Sequence, residues 1–394
     1  MINEQDTNEA QLTIDHSPFT PHDSPFPIDH SSFTPDDSKL TFDIIIVGQG
    51  ICGTFLSWHL WKQGKRVLVI DEARPFSASK VASGVINPVT GRQVVTTWMA
   101  EVLMGYTWGA YQAIGKDIGV EVIRHANIIA FPPSQQMRDA YDKRISEENS
   151  FIKPVPADKM ALYADVCYPF FGAAEIDPVW LVDLFPLLSG WRKKLKQEGG
   201  LMEVPFEAEH LTIHESHVEY KNIRAGKIIF CNGVNTFQLP YFKNLPFVFN
   251  KGEALIVDIP GLPKGNICKL GNSTIVPWYD GLWWVGSSYE NSFEDSLPTA
   301  QFKQKKTQEL EMNLKVPFTV VDHLASLRPA VAVERRPFVG LHPHIPNVGI
   351  LNGMGTKGCS LAPYFAEQFC TYLTQGAAID PLADVARFGR LLRQ

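Results

Sequence analysis

An apolar run, a turn and an apolar helical segment predict where the ordered chain begins. Residues 42–47 (FDIIIV) form a nearly continuous β-branched run, which is typical of a strand buried on both faces of a parallel sheet. Residues 54–63 predict a helix, and Gly64 gives that helix a C-terminal stop. Residues 65–70 (KRVLVI) predict a second strand, so the whole segment has the pattern of a β-turn-α-β unit.

Three glycines occupy the turn of this unit in a G-x-G-x-x-G pattern. Gly48 permits the tight turn, Gly50 lets the backbone approach a pyrophosphate, and Gly53 lets the helix pack closely on the strand. The helix N-terminus, at Ile51 and Cys52, offers N–H groups and a positive dipole end to phosphates. The pattern predicts a dinucleotide-binding turn, and an ordinary crossover without a nucleotide is the alternative.

An acidic residue ends the second strand, where such folds hold the adenosine ribose. Asp71 lies 23 residues after Gly48 and can accept hydrogen bonds from both ribose hydroxyls. A carboxylate at this position disfavours a 2′-phosphate, so NADP is not expected. Glu72 is a second candidate for the same contact. The unit by itself does not distinguish FAD from NAD.

A second glycine-rich loop lies near the end of the chain. Residues 348–351 predict a short strand, and a helix is predicted from about 360 to 374. Between them stand glycines at 353, 355 and 358, which can form another backbone cradle with a helix dipole behind it. A plain connection whose glycines serve packing is the alternative interpretation.

Length and composition limit the class of protein. The 394 residues are enough for about two domains, and 45% hydrophobic with 20% charged residues excludes a disordered chain, a collagen or a coiled coil. No apolar run is long enough for a membrane span, and no secretory signal is visible, so we expect neither. Six scattered cysteines without a CxxC pair favour a reducing, cytoplasmic location.

The charge is unevenly distributed. Eight acids and one lysine give residues 1–40 a charge of −7, so the remaining 35 bases and 34 acids leave the body at +1. A neutral body argues against nucleic-acid binding, which requires a basic face.

Residues 1–40 carry an imperfect repeat of seven residues rich in proline, serine, aspartate and phenylalanine, and we expect this tail to be disordered. An extension without function is the simpler interpretation, and a docking motif or metal capture by His16, His22 and His30 is the alternative.

Elsewhere, His210, His214 and His217 have the spacing of metal ligands. Their surroundings alternate as in a strand, so we interpret them as solvated edge histidines and predict no metal site.

Residues 82–85 (Ala82, Ser83, Gly84 and Val85) give the first sign of a known family. The segment resembles the small-residue stretch that touches the FAD in the D-amino-acid oxidase, glycine oxidase and sarcosine oxidase superfamily of FAD-dependent oxidoreductases. The resemblance extends over roughly residues 42–390. Further similar stretches are 175–182, which resembles a helix start, and 226–233, 250–253, 275–277, 286–290, 326–340 and 351–363.

The resemblance implies an α/β fold in which a Rossmann-type FAD-binding domain is interleaved with an antiparallel β-sheet substrate domain. The FAD-binding domain would comprise residues 41–124, 169–236 and 322–390. The substrate domain would comprise residues 125–168 and 237–321. Non-covalent FAD is expected, because no cysteine occupies the position that carries covalent flavin in sarcosine oxidases. The C-terminal loop would contribute Gly353, Gly355, Thr356, Lys357 and Gly358 to the cofactor site.

The same resemblance implies an amine or amino-acid oxidase or dehydrogenase. A small amine or amino acid would lose a hydride to the flavin, its imine would hydrolyse, and oxygen or another acceptor would reoxidise the flavin. Arg328 is the residue that the resemblance assigns to the substrate carboxylate, and an internal ion pair with Glu334 is the alternative. Lys357 is a second cation, or else a solvent-facing loop lysine, and at most one of Arg335 and Arg336 could point to the same site.

Two other functions remain open from the sequence. One branch of the superfamily modifies the carboxymethylaminomethyl group of a tRNA uridine, although the neutral body argues against it. A non-catalytic FAD-binding scaffold is the third possibility.

Overall fold

The computed structural model describes residues 40–149, 151–168, 170–332 and 334–393, so the repeats of the tail lie outside the described residues. In chain order the strands are β1 (Leu40–Val47), β2 (Val67–Ile70), β3 (Val85–Ile86), β4 (Val89–Thr90), β5 (Val95–Thr96), β6 (Ile123–Phe131), β7 (Ile152–Pro154), β8 (Ala174–Val182), β9 (Leu201–Met202), β10 (Leu211–Ile213), β11 (Val218–Tyr220), β12 (Ile223–Phe230), β13 (Phe247–Asp258), β14 (Ile267–Leu270), β15 (Ser273–Pro277), β16 (Trp283–Gly286), β17 (Thr319–Val331), β18 (Phe338–His342) and β19 (Ile345–Asn352). The helices are α1 (Ile51–Lys62), α2 (Ala78–Val81), α3 (Ala100–Ile118), α4 (Gln135–Ser146), α5 (Ala157–Ala161), α6 (Leu184–Gln197), α7 (Ala300–Asn313) and α8 (Gly358–Gln375).

The first sheet has a parallel centre. Its strand order is β10-β11-β12-β1-β2-β9, and β19 pairs with the second half of β12 and with β18. Strands β1, β2, β9, β12 and β19 are parallel to one another, whereas β10, β11 and β18 are antiparallel to their neighbours. This arrangement is the Rossmann-type half of the predicted fold.

Strand β1 is buried on both faces, as its apolar run predicts. Ile44 and Ile46 contribute to one hydrophobic cluster, and Ile45 and Val47 to another on the opposite face of the sheet. Helix α1 is buried along its first ten residues and packs against α8. The predicted β-turn-α-β unit is therefore confirmed, with β1 beginning two residues earlier than expected at Leu40.

The second sheet is mostly antiparallel and has the order β17-β13-β16-β15-β14-β6-β8-β3, with β7 also paired to β8. Its longest pair joins β13 to β17, from Phe247 opposite Val331 to Asp258 opposite Thr319, with a register shift between Ile256 and Val257. The two sheets together give the interleaved α/β architecture predicted from the sequence.

Two stretches differ from the predicted segments. Strand β8 and most of β17 fall inside the predicted FAD-binding ranges 169–236 and 322–390, yet both belong to the second sheet. The helix start expected at 175–182 is strand β8, and α6 begins only at Leu184. Pro178 lies in the middle of that stretch, and proline is disfavoured in a helix interior because it lacks an N–H.

Among the described residues, no helix combines the length and apolar composition that crossing a bilayer requires.

Candidate cofactor and substrate site

A cavity of about 530 Å³ lies between the two sheets. Its walls come from the loops that follow β1, β2, β12 and β19, and from the facing strands β13, β16 and β17. Ligands of open α/β sheets bind in the crevice outside the carboxyl ends of the parallel strands. The cavity has that position, with the antiparallel sheet as its opposite wall.

The first glycine turn has the geometry that its pattern predicts. Gly48 has a φ of +96°, and a Cβ there would lie 2.7 Å from the Cα atom of Asn232. A Cβ on Gly53 would lie 1.9 Å from the carbonyl oxygen of Gly48, so only glycine lets α1 approach the turn this closely. Gly48, Gly50, Ile51 and Cys52 line the cavity, whereas Gly53 lies behind it.

Ser79 acts at the same helix end and was missed by the sequence reasoning. The Ile51 N–H donates a hydrogen bond to the Ser79 hydroxyl oxygen at 2.9 Å. The first N–H groups of a helix have no partner within the helix, so a hydroxyl at this place satisfies one of them. The Cys52 thiol lies nearby, and burial raises its pKa to about 12, which keeps it protonated at neutral pH.

Asp71 lines the cavity but is already held by the protein. One carboxylate oxygen accepts the Gln49 N–H at 2.8 Å, and the other accepts the Ala73 N–H and the Arg192 guanidinium, each at 2.8 Å. Arg192, on α6, also donates to the Gln49 side-chain oxygen at 3.0 Å. Neighbouring Glu72 lines the cavity as well. No sequence pattern pointed to Arg192, because it lies 121 residues from Asp71.

The segment at 82–85 divides into two parts. Ala82 and Ser83 line the cavity. Gly84 and Val85 do not, because they pack on β8. A Cβ on Gly84 would lie 2.0 Å from the Val182 carbonyl oxygen, and Val85 pairs with Leu181.

The C-terminal glycine loop also reaches the cavity. Gly355 and Thr356 line it from a short 3₁₀ turn, and Gly358 lines it from the start of α8. Gly353 supplies the turn, with a φ of +79°, and packs against Phe338 rather than lining the cavity. The predicted strand and helix on either side of this loop are confirmed.

Arg328 lies on β17 and lines the cavity. Its guanidinium donates to the Asn250 side-chain oxygen at 2.7 Å and to the Ser288 carbonyl oxygen at 3.2 Å. It packs so closely on Gly252 that a Cβ there would lie 1.7 Å from a guanidinium nitrogen. Burial lowers the pKa of Arg328, an effect that Tyr289 opposes.

The acid expected as an alternative partner for Arg328 lies elsewhere. Glu334 pairs with Arg387 at 3.5 Å. Within the described part of the chain, no carboxylate lies within ion-pair distance of Arg328, which leaves its remaining N–H groups available to a ligand.

Lys357 is close to the cavity without lining it. Its ammonium donates to the Asn87 carbonyl oxygen at 3.2 Å, and burial lowers its pKa to about 8. Lys357 is therefore not a solvent-facing loop lysine.

The adjacent residues Arg335 and Arg336 have different surroundings. Arg335 is exposed, whereas the Arg336 guanidinium lies 3.8 Å over the Trp98 ring.

A tryptophan of the second sheet forms part of the cavity wall. Trp284 lines the cavity and donates its indole N–H to the Val81 carbonyl oxygen at 3.0 Å. Trp283, one residue earlier, points to the opposite face and is buried in the core. The alternation of a strand explains why only one member of this pair reaches the site.

A parallel sheet with two glycine cradles at its carboxyl edge, facing an antiparallel sheet that carries a partly buried arginine, defines a dinucleotide-dependent oxidoreductase. Residues 43–371 match the family described as FAD dependent oxidoreductase. The chain belongs to this family, and its cofactor is FAD.

Known proteins support the same fold. The oxidoreductase YurR of Bacillus subtilis (strain 168) is 22% identical over 362 residues, which are 82% of this chain and 92% of YurR. The crystal structure of iminodiacetate oxidase from Chelativorans sp. BNC1 superposes with a TM-score of 0.70 at 19% identity, covering 86% of this chain and 97% of that one. Glycine oxidase from Bacillus cereus ATCC 14579 gives a TM-score of 0.72 at 15% identity, over 86% and 96% of the two chains.

Proposed function

We propose that this oxidoreductase oxidises a small amine or amino acid that carries a carboxylate. The observation that carries the proposal is Arg328, a largely buried cation on the wall of the cofactor cavity without a carboxylate partner among the described residues. A planar guanidinium matches a carboxylate with two parallel hydrogen bonds. The names of two structural neighbours, an iminodiacetate oxidase and a glycine oxidase, fit the same substrate class.

The residues around the cavity fit FAD. Gly48 and Gly50 let the backbone approach the diphosphate, and the N-terminus of α1 faces the same space. Asp71 or Glu72 would accept the ribose hydroxyls. Ala82, Ser83 and the loop of Gly355, Thr356 and Gly358 would hold the part of the cofactor that faces the second sheet. We propose that binding is non-covalent.

When bound, FAD supplies a two-electron acceptor. Arg328 would bind the substrate carboxylate and so orient the carbon that bears the nitrogen. The chemistry that FAD would supply there is acceptance of a hydride from the C–H bond of that carbon, and the nitrogen lone pair would form the C=N bond of the imine. Water then adds to the imine, and the amine leaves to give a carbonyl product. A substrate with a neutral nitrogen needs no strong protein base for these steps.

We propose Lys357 as a second cation of the site. Within the described part of the chain its ammonium donates one hydrogen bond, to the Asn87 carbonyl oxygen, which leaves two N–H donors for a ligand. With a pKa of about 8 it is mainly charged at pH 7 and loses that charge above pH 8. An anionic substrate group that approaches the loop would therefore be bound more weakly at alkaline pH.

The visible spectrum of the purified protein tests the proposal. We expect flavin absorption that acid precipitation releases into the supernatant, and bleaching when pooled amino acids and N-methyl amines are added anaerobically. Arg328→Met should keep the flavin but lose bleaching by donors that carry a carboxylate. Arg335→Met, which removes an exposed arginine seven residues away, is the matched control. A flavin that no donor bleaches would overturn the proposed substrate class.

A further inference from the structure

Two of the three histidines singled out in the sequence converge on one face of the β10–β11 hairpin. His214 and His217 flank the two-residue turn, opposite one another, and their rings stack with centroids 4.3 Å apart. Glu219 lies two residues beyond His217 and therefore on the same face of the strand. We call these three side chains the hairpin cluster. His210, by contrast, pairs with Glu207 at 3.2 Å and lies outside the cluster.

The donor atoms of the hairpin cluster have nearly the spacing of metal ligands. One carboxylate oxygen of Glu219 lies 3.6 Å from Nε2 of His214, and the other lies 3.3 Å from Nε2 of His217. One ligand atom from each of the three residues lies within 4.8 Å of the other two. Zinc bonds of about 2.0–2.2 Å place tetrahedral ligands roughly 3.4 Å apart. Each imidazole therefore lies close to the tetrahedral spacing from one oxygen of the carboxylate, so a small rotation of the Glu219 side chain would bring one oxygen within reach of both.

We propose that the hairpin cluster binds Zn²⁺, with Nε2 of His214, Nε2 of His217 and the Glu219 carboxylate as protein ligands and water as the fourth. Two imidazoles with a carboxylate form a ligand set that zinc accepts. The cluster is partly exposed, with 42%, 18% and 24% of the side-chain surface accessible, so water can reach the fourth position.

The backbone that presents these ligands is fixed by the fold. The His214 N–H donates to the His217 carbonyl oxygen at 2.9 Å and closes the turn. Buried Asn347, on β19, donates its side-chain amide to the carbonyl oxygens of His214 and Glu215, each at 2.9 Å. A metal would therefore find the hairpin already ordered, and little backbone entropy would be lost on binding.

Two neighbours of His217 favour different tautomers of its ring, and a metal requires one of them. A metal at Nε2 needs the proton on Nδ1, and that N–H can donate a hydrogen bond to the Ser216 hydroxyl oxygen, which lies 3.2 Å from Nδ1. The Arg224 guanidinium lies 3.4 Å from the same Nδ1 and can only donate, so it favours the opposite tautomer. Removing the Arg224 guanidinium should therefore strengthen zinc binding.

The hairpin cluster is separate from the cofactor site. None of its residues lines the cavity, and β12 lies between the hairpin and β1. The inference is therefore independent of the proposed oxidation reaction, and its test does not use turnover.

Zinc titration of the full chain, free of affinity tags and in competition with a chromogenic chelator, tests the proposal. We expect His214→Ala with His217→Ala to lose one zinc equivalent, Glu219→Gln to weaken that equivalent about tenfold or more, and Arg224→Ala to tighten it. His210→Ala is the matched control and should bind as the unaltered chain does. Circular dichroism establishes that each variant is folded.

Co²⁺ gives a second readout at the same ligands. Visible absorption bands of a tetrahedral site should appear with the unaltered chain and disappear in the double histidine variant. Equal zinc stoichiometry and affinity in the unaltered chain and the folded double variant would overturn the proposal, because any zinc would then be bound by other histidines, including those of the tail.

Discussion

Replacing Gly252 with alanine should displace Arg328 while leaving the fold intact. The new Cβ would lie 1.7 Å from one guanidinium nitrogen and 2.0 Å from the central carbon. Ordinary contacts between such atoms are about 3.5–4.0 Å, so the guanidinium has to move by roughly 2 Å. The contacted atoms are the far end of a flexible side chain, and alanine is favoured over glycine in a strand by about 0.5–1 kcal/mol. We expect the melting temperature to change little or to rise.

Carboxylate binding should respond much more strongly. A shift of this size breaks the 2.7 Å hydrogen bond from Arg328 to Asn250. It also moves the guanidinium away from the position in which it would bind the substrate carboxylate. Hydrogen bonds to charged groups contribute about 1.5–3 kcal/mol, which corresponds to a loss of roughly 10- to 150-fold in affinity. The assay is spectral titration of the flavin-loaded protein with a non-oxidisable carboxylate, alongside the rate of anaerobic flavin reduction.

A double-mutant cycle makes the reasoning refutable. If Gly252→Ala acts through Arg328, it should have little further effect in the Arg328→Met background. Gly109→Ala controls for the exchange itself, because a Cβ at that position would meet nothing within 4 Å. Equal losses of carboxylate affinity with and without the arginine would refute the proposed coupling, and so would unchanged affinity in the single variant.

Three further predictions concern the cofactor turn and the second cation. Gly53→Ala should abolish FAD binding and lower the melting temperature, because its Cβ would lie 1.9 Å from a backbone oxygen that cannot move aside. Arg192→Met should raise the FAD dissociation constant about tenfold in a fluorescence titration, since Asp71 and Gln49 each lose a charged donor. Lys357→Met should flatten the rise in unfolding free energy between pH 8 and 10.5, measured by urea denaturation.

The sign of the last effect follows from linkage. Burial lowers the pKa of Lys357 from 10.5 to about 8, so between these values the unfolded chain binds more protons and stability rises with pH. An identical pH dependence in Lys357→Met would contradict this reasoning. Normal FAD affinity in Arg192→Met would show that FAD binding does not depend on the contact between Arg192 and Asp71. The FAD dissociation constant of Arg192→Lys should lie between those of the unaltered chain and Arg192→Met. A Gly53→Ala protein that binds FAD normally would show that the turn tolerates a Cβ.

Local patterns predicted much of the fold. The apolar run of β1, the glycines of the turn and the acid after β2 lie close together in sequence, so their spacing carries the geometry directly. The C-terminal glycine loop was predictable for the same reason. Strand β8 was not, because its place in the second sheet depends on pairing with β6, about 50 residues earlier.

The candidate site shows the same division between local and distant information. Gly48 and Gly50 were proposed from a motif and Arg328 from the family resemblance, and all three line the cavity. Arg192 and Ser79 escaped prediction, since their partners Asp71 and Ile51 are fixed only by tertiary packing. The convergence of His214 with His217 depended on a turn between them, whereas the sequence spacing alone had suggested a set that included His210.

The cavity takes its walls from segments that are far apart in the chain, from the turn after β1 to the start of α8. No fragment that lacks α8 can complete it, so the binding site exists only after the last helix has docked on α1. A ligand that binds only the finished chain stabilises it by about 2.7 kcal/mol at a hundredfold excess over its dissociation constant. The concentration of cofactor in a cell would therefore affect the fraction of molecules that are unfolded and open to proteolysis, and with it the lifetime of the protein.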